Sequence, residues 1–145
     1  MNRSFPVVPM LALALLGSVA QRARAQDANP SEMLRGAQQV VQMVGEGRTG
    51  ELWDGAATAT KNRVPRAEFI TTLAHTRGGL GAARQRVWVA ITRVTLDDAD
   101  PVLAGQYLSV EFETRFAGAD ASRRELASFH RERDGTWRFS GYVLR

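Results

Sequence analysis

The chain has 145 residues, 44% of them hydrophobic and none of them cysteine, so it is the size of one globular domain with no disulfide, thiolate nucleophile or Cys-ligated zinc. Its pI of 10.6 points to nucleic acid only until the basic residues are placed. Arg3, Arg22 and Arg24 lie in the first 25 residues, which hold no acid, so removing three of the 19 basic residues leaves 16 against 15 acidic ones, net +1, and no electrostatic case for nucleic acid.

Residues 1–25 read as a signal peptide. A basic start at Arg3 leads into the apolar run 10–20, and Ala23-Arg24-Ala25 forms an A-x-A cleavage site. Cleavage after Ala25 leaves 26–145 as a single exported domain, periplasmic or secreted. The absence of cysteine rules out a lipoprotein. The apolar run has 11 residues against the ~20 that span a bilayer, so no stable membrane insertion is expected after cleavage. Arg22 and Arg24, between the run and the cut, oppose translocation.

Ser31 is placed to cap a first helix with Glu32 in its opening turn. Met33, Leu34, Ala37, Val40, Val41 and Val44 form its apolar stripe, and Gly45 and Gly47 stop it. Thr49 is placed to cap a second, short helix with Leu52, Trp53, Ala56 and Ala57, ending in the polar stretch 58–63. Pro65 suits the first turn of a third helix, whose apolar face is Phe69, Ile70, Leu73 and Ala74, and which stops at Gly78, Gly79 and Gly81.

From Val87 to Leu96 the sequence is rich in Val, Ile, Thr and Trp and reads as a strand, closed by a turn at 97–101. Residues 106–116 alternate, with Leu108, Val110, Phe112 and Phe116 on one face and Tyr107, Ser109, Glu111, Glu113 and Arg115 on the other. The runs 124–133 and 136–144 flank Asp134-Gly135, the signature of a two-residue hairpin turn. Pairing Arg133 with Thr136 sets His130 opposite Phe139, Glu132 opposite Trp137 and Leu126 opposite Val143, which puts His130 on the apolar face. The whole predicts an α+β domain, N-terminal helices packed on a curved four-stranded antiparallel sheet.

Four segments carry a family resemblance: LWDGAA at 52–57, RGGLGAARQR at 77–86, QYLSVEFETRF at 106–116 and DGTWRFSGYVLR at 134–145. Over about 37–145 the chain resembles a bacterial exported family catalogued as domain of unknown function 4019. The resemblance implies a half-cone of the nuclear transport factor 2-like or cystatin-like type, with a cavity between helices and sheet. It implies no activity. The family pattern keeps an aromatic near Phe69, as here, and an apolar residue near position 130, where this chain has His130 instead.

His130 is the sharpest candidate for proton transfer, with Glu132 on the same strand face as its potential orienter; the alternative is a hydrogen-bonded core histidine. Asp54 on the short helix is a second candidate base, against a solvated position beside the Leu52–Trp53–Ala56 stripe. His75 fits a helix C-terminus. Two separated histidines give no metal-ligand spacing, and Asp97, Asp98 and Asp100 lack a calcium loop, so neither metal nor cofactor is expected. Trp53, Trp88 and Trp137, with Phe112, Phe139 and Tyr142, read first as core. Trp53, Phe69, Phe112, Trp137 and Phe139 are the candidates for lining a ligand cavity.

The resulting expectation is a non-enzymatic exported domain that binds a partner protein or a small apolar ligand. A cofactor-free lyase or isomerase working in the helix–sheet cavity is the alternative. A homodimer through the outer sheet face, where Glu111, Glu113 and Arg115 stand, is compatible with either.

Overall fold

The structure, a computed structural model, describes residues 28–145; the expected leader and its cleavage site lie outside the described residues. Helix α1 (Pro30–Gly45) is capped by Asn29 rather than by Ser31: the Asn29 side chain accepts the Ser31 N–H at 3.0 Å. The reason is Pro30, which occupies the first helical position without an N–H to satisfy, so the first donor in need of a partner is that of Ser31 itself. The buried face of α1 is Met33, Ala37, Val40, Val41, Met43 and Val44, with Leu34 half-buried.

Helix α2 (Thr49–Asp54) is preceded by Arg48 as its cap residue, and Thr49 is buried inside the first turn. The polar stretch expected to close it forms a helix of its own, α3 (Thr58–Arg63). Its order comes from tertiary contact: the Ala57 N–H donates to Phe139 O at 2.8 Å, and the Thr60 hydroxyl donates to Ser140 O at 2.9 Å. Helix α4 (Arg66–Arg77) begins just after Pro65, which serves as its cap residue, and buries Phe69 and Leu73. Ile70 is half-buried and Ala74 exposed.

Four strands follow, β1 (Ala83–Leu96), β2 (Gly105–Phe116), β3 (Arg123–Arg131) and β4 (Trp137–Leu144), joined as an antiparallel meander in the order β1-β2-β3-β4. The expected alternation of β2 holds, with Leu108, Val110, Phe112 and Phe116 buried. Leu108 faces Phe129, Val110 faces Ala127 and Phe112 faces Glu125, so these residues share the face covered by the helices. The opposite face carries charge pairs, among them Arg124 with Glu111 and Glu113. The acidic turn is locally satisfied: Asp98 accepts the Asp100 N–H and Asp100 accepts the Val102 N–H.

The β3–β4 register departs from expectation toward its tip. Leu126 does face Val143, but a shift between Ser128 and Phe129 places Phe129 opposite Phe139 and His130 opposite Arg138. Ser140 is the extra residue, a bulge. The turn is a three-residue loop, closed by Glu132 N–H to Thr136 O at 2.8 Å and Gly135 N–H to Glu132 O at 2.9 Å. A two-residue type I′ turn needs positive φ at both Asp134 and Gly135, and only Gly135 (φ 83°) has it. His130 therefore lies on the sheet face turned away from the helices, paired with Tyr107 on β2, and not on the apolar face.

The core joins α1, α2 and α4 to β2, β3 and β4, with Phe69 edge-on to Phe139 at 6.0 Å. Trp53 and Trp137 pack half-buried against it. Trp88 corrects the sequence reading: it is 51% exposed. The helices lie over β2, β3 and β4, so among the described residues β1 is the edge that no helix covers.

Candidate functional site

The two edges of the sheet are treated differently. At β4 the segment 57–60 covers the edge through the Ala57 and Thr60 hydrogen bonds. At β1 the side chains of Val87, Trp88, Val89, Val94 and Leu96 stand 41–53% exposed. Trp88 is opposite Phe112, on the helix side of the sheet, whereas Val87 and Val94, opposite Glu113 and Tyr107, are on the other. The pairing shifts between Trp88 and Ala90, so Val89 sits at an irregularity that bends the strand. Over residues 83–96 the strand carries Arg84, Arg86 and Arg93 and no acidic residue.

The three candidate catalytic side chains do not form one constellation. His130 is 5% exposed and stacks on Tyr107, centroids 4.5 Å apart. Its Nε2 lies 3.2 Å from Ala104 O, and Nδ1 has no hydrogen-bond partner. Gly105 (φ 129°) lets the β1–β2 loop press against the ring: a Cβ there would stand 3.1 Å from Nε2. The Tyr107 hydroxyl donates to Leu103 O at 2.7 Å, and burial raises its pKa.

Glu132 accepts the Thr58 N–H at 2.7 Å and does not orient the imidazole, although both line one open cleft of about 670 Å³. Asp54 is elsewhere, on the surface, in a two-pronged ion pair with Arg66 at 2.9 and 3.1 Å that holds its carboxyl below the ordinary range. His75 is exposed in the last turn of α4.

Of the candidate cavity residues, Phe69, Phe112 and Phe139 are 7%, 1% and 6% exposed and fill the core. Trp53 is fixed by its indole N–H to Val64 O at 2.8 Å. Trp137 lines a small cleft of about 120 Å³ with Ala28, Arg93 and Thr95. Among the described residues no cluster of His, Asp or Glu is placed to hold a metal ion, and no helix is long and apolar enough to cross a membrane.

Sequence reasoning missed the most deeply buried charge. Glu125 is fully enclosed on the helix side of β3. One carboxylate oxygen accepts from Arg86 Nε at 2.7 Å and from the Thr114 hydroxyl, and the other accepts from the Tyr142 hydroxyl at 2.7 Å. Burial, reinforced by the Glu125 charge, raises the Tyr142 pKa strongly. The signal was phase: Glu125, Ala127 and Phe129 alternate inward on β3. Both oxygens are occupied, so the group serves as an internal tie between β1, β2, β3 and β4.

Helices leading into an antiparallel meander, with an enclosed Arg86–Glu125 ion pair and β1 at one edge of the sheet, define an α+β domain of the helix-then-sheet class. The chain belongs to the family described as protein of unknown function DUF4019, whose family model matches residues 36–142. No curated protein matches the chain.

Proposed function

We propose that the chain is an exported, non-enzymatic domain that binds a partner protein by adding an extended segment of that partner to β1. One observation carries the reading: five large apolar side chains stand 41–53% exposed on a strand at the free edge of the sheet. Such an edge supplies main-chain donors and acceptors for affinity, and alternate side chains for specificity. Charge selects the occupant. Residues 83–96 carry no acid, and with Arg86 committed to Glu125 the exposed Arg84 is the charge that favours an apolar segment bearing acidic residues over a second copy of the same strand.

The N-terminal sequence supports export to the periplasm or medium, and the order of helices and bulged strands supports the nuclear transport factor 2-like or cystatin-like half-cone. A small apolar ligand is less favoured, because Phe69, Phe112 and Phe139 occupy the core themselves. The lyase or isomerase reading lacks its orienter, since Glu132 is engaged by Thr58 and His130 Nδ1 is unpartnered.

The test titrates extended peptides alternating Val with Glu, and a matching set alternating Val with Lys, against the chain by fluorescence anisotropy. The acidic set is expected to bind and the basic set not, and Val94→Glu is expected to abolish binding. Equal binding of both sets, or binding that survives both Val94→Glu and Val87→Glu, contradicts the reading.

A further inference from the structure

The hairpin tip carries a second feature, independent of β1. The cleft of about 670 Å³ between the β1–β2 loop and the β3–β4 hairpin is lined by Arg131, Arg133 and Arg138. Some arginines on this surface pair with acids, as Arg48 does with Glu46 and Glu51 and Arg66 with Asp54; what sets the cleft apart is that three arginines line one concavity. Among the described residues none of the three cleft arginines forms a direct ion pair; Arg131 donates to Gln106 at 3.3 Å, and two carboxylates line the same cleft, of which Asp134 feels the Arg138 charge. Those two are engaged by backbone: Glu132 accepts the Thr58 N–H at 2.7 Å and Asp134 the Thr136 N–H at 2.9 Å. The Thr136 hydrogen bond keeps the Asp134 carboxyl below its ordinary range.

The wall of the cleft is built from packed side chains and backbone. His130, 5% exposed, is held between the Tyr107 ring and the Gly105 backbone, and Tyr107 in turn ties down Leu103. Guanidinium groups match oxyanions through paired N–H donors, and a concave wall keeps competing water partly away. Pro101 and Val102 on the loop side provide an apolar flank for a short carbon skeleton.

We infer that this cleft binds a small oxyanion, the carboxylate or phosphate group of a small solute, through Arg138 and Arg133 against the His130 wall. Two arms identify the source of the oxyanion: inorganic phosphate and succinate are each titrated by calorimetry at low ionic strength, with amide chemical shifts recorded in parallel. At least one is expected to saturate, with shifts concentrated at Gly105, His130 and Arg138. Arg138→Gln and Arg133→Gln, both at exposed positions, should each weaken that anion at least fivefold, whereas Arg35→Gln on α1 leaves it unchanged. Failure of both anions to saturate, shifts spread evenly over the surface arginines, or equal losses in all three variants would overturn the assignment.

Discussion

Glu125 and Tyr142 meet across the buried end of the sheet, the phenol donating to the carboxylate at 2.7 Å while Arg86 balances the charge from β1 at 2.7 Å. A carboxylate without solvent exposure survives there because each oxygen has a donor. The contact links β4 and β3 to β1, the strand proposed to receive the partner, so the free edge is anchored to the core by an ion pair as well as by its ladder to β2.

Removing one member of this tie leaves the other buried and uncompensated. Glu125→Ala is expected to lower the unfolding free energy by about 3–5 kcal/mol. The double variant Glu125→Leu with Arg86→Met should recover most of that loss. Urea denaturation of the three chains measures it; a loss under about 1 kcal/mol for Glu125→Ala would mean the pair is not enclosed.

The raised pKa of Tyr142 makes stability fall at high pH. The unfolded phenol begins to ionise near its ordinary value of 10.0, whereas the folded one stays protonated above it, so the contribution is full below pH 10 and is progressively lost above it. Between pH 9 and about 11.5 the parent chain should lose stability more steeply than Tyr142→Phe, whatever the difference in their starting values. Denaturation midpoints across that range provide the comparison, and parallel curves would count against a buried phenol.

Trp88 and Phe112 face one another across β1 and β2 but differ in burial, 51% against 1% exposed. Phe112→Ala should therefore cost about 3–5 kcal/mol, as truncation of a core aromatic does. Trp88→Ala should cost well under half as much and reduce partner binding. Similar stability losses for the two would place Trp88 in the core after all.

Gly135 adopts φ 83° to close the hairpin. Gly135→Ala should destabilise by about 1 kcal/mol, and Gly135→Asn by less, because asparagine tolerates the left-handed region better. Thermal unfolding of both variants orders them; an alanine that is neutral would point to a two-residue turn of different geometry.

Legibility followed the range of the forces involved. The stripe of α1 and the alternation of β2 are local patterns with one buried face, and both were readable to within a residue or two. Helix α3 was not, because its polar residues become ordered only through Phe139 and Ser140, some eighty positions away. The sequence places His130 on the wrong face because Asp134-Gly135 permits two turn geometries and because the bulge at Ser140 slips the register by one. Trp88 reads as core from the sequence because composition does not say which strand the helices leave uncovered. Glu125 gives no signal of its own in the sequence because a buried carboxylate is visible only once its three donors, on β1, β2 and β4, converge.

The docking role of β1 is tested most directly by amide hydrogen exchange on the chain as the cell processes it, free and saturated with the tightest Val/Glu peptide. The account predicts added protection at alternate amides across residues 87–96, absent in Val94→Glu. Saturating peptide that leaves β1 exchange unchanged, or protects the helices instead, would contradict it.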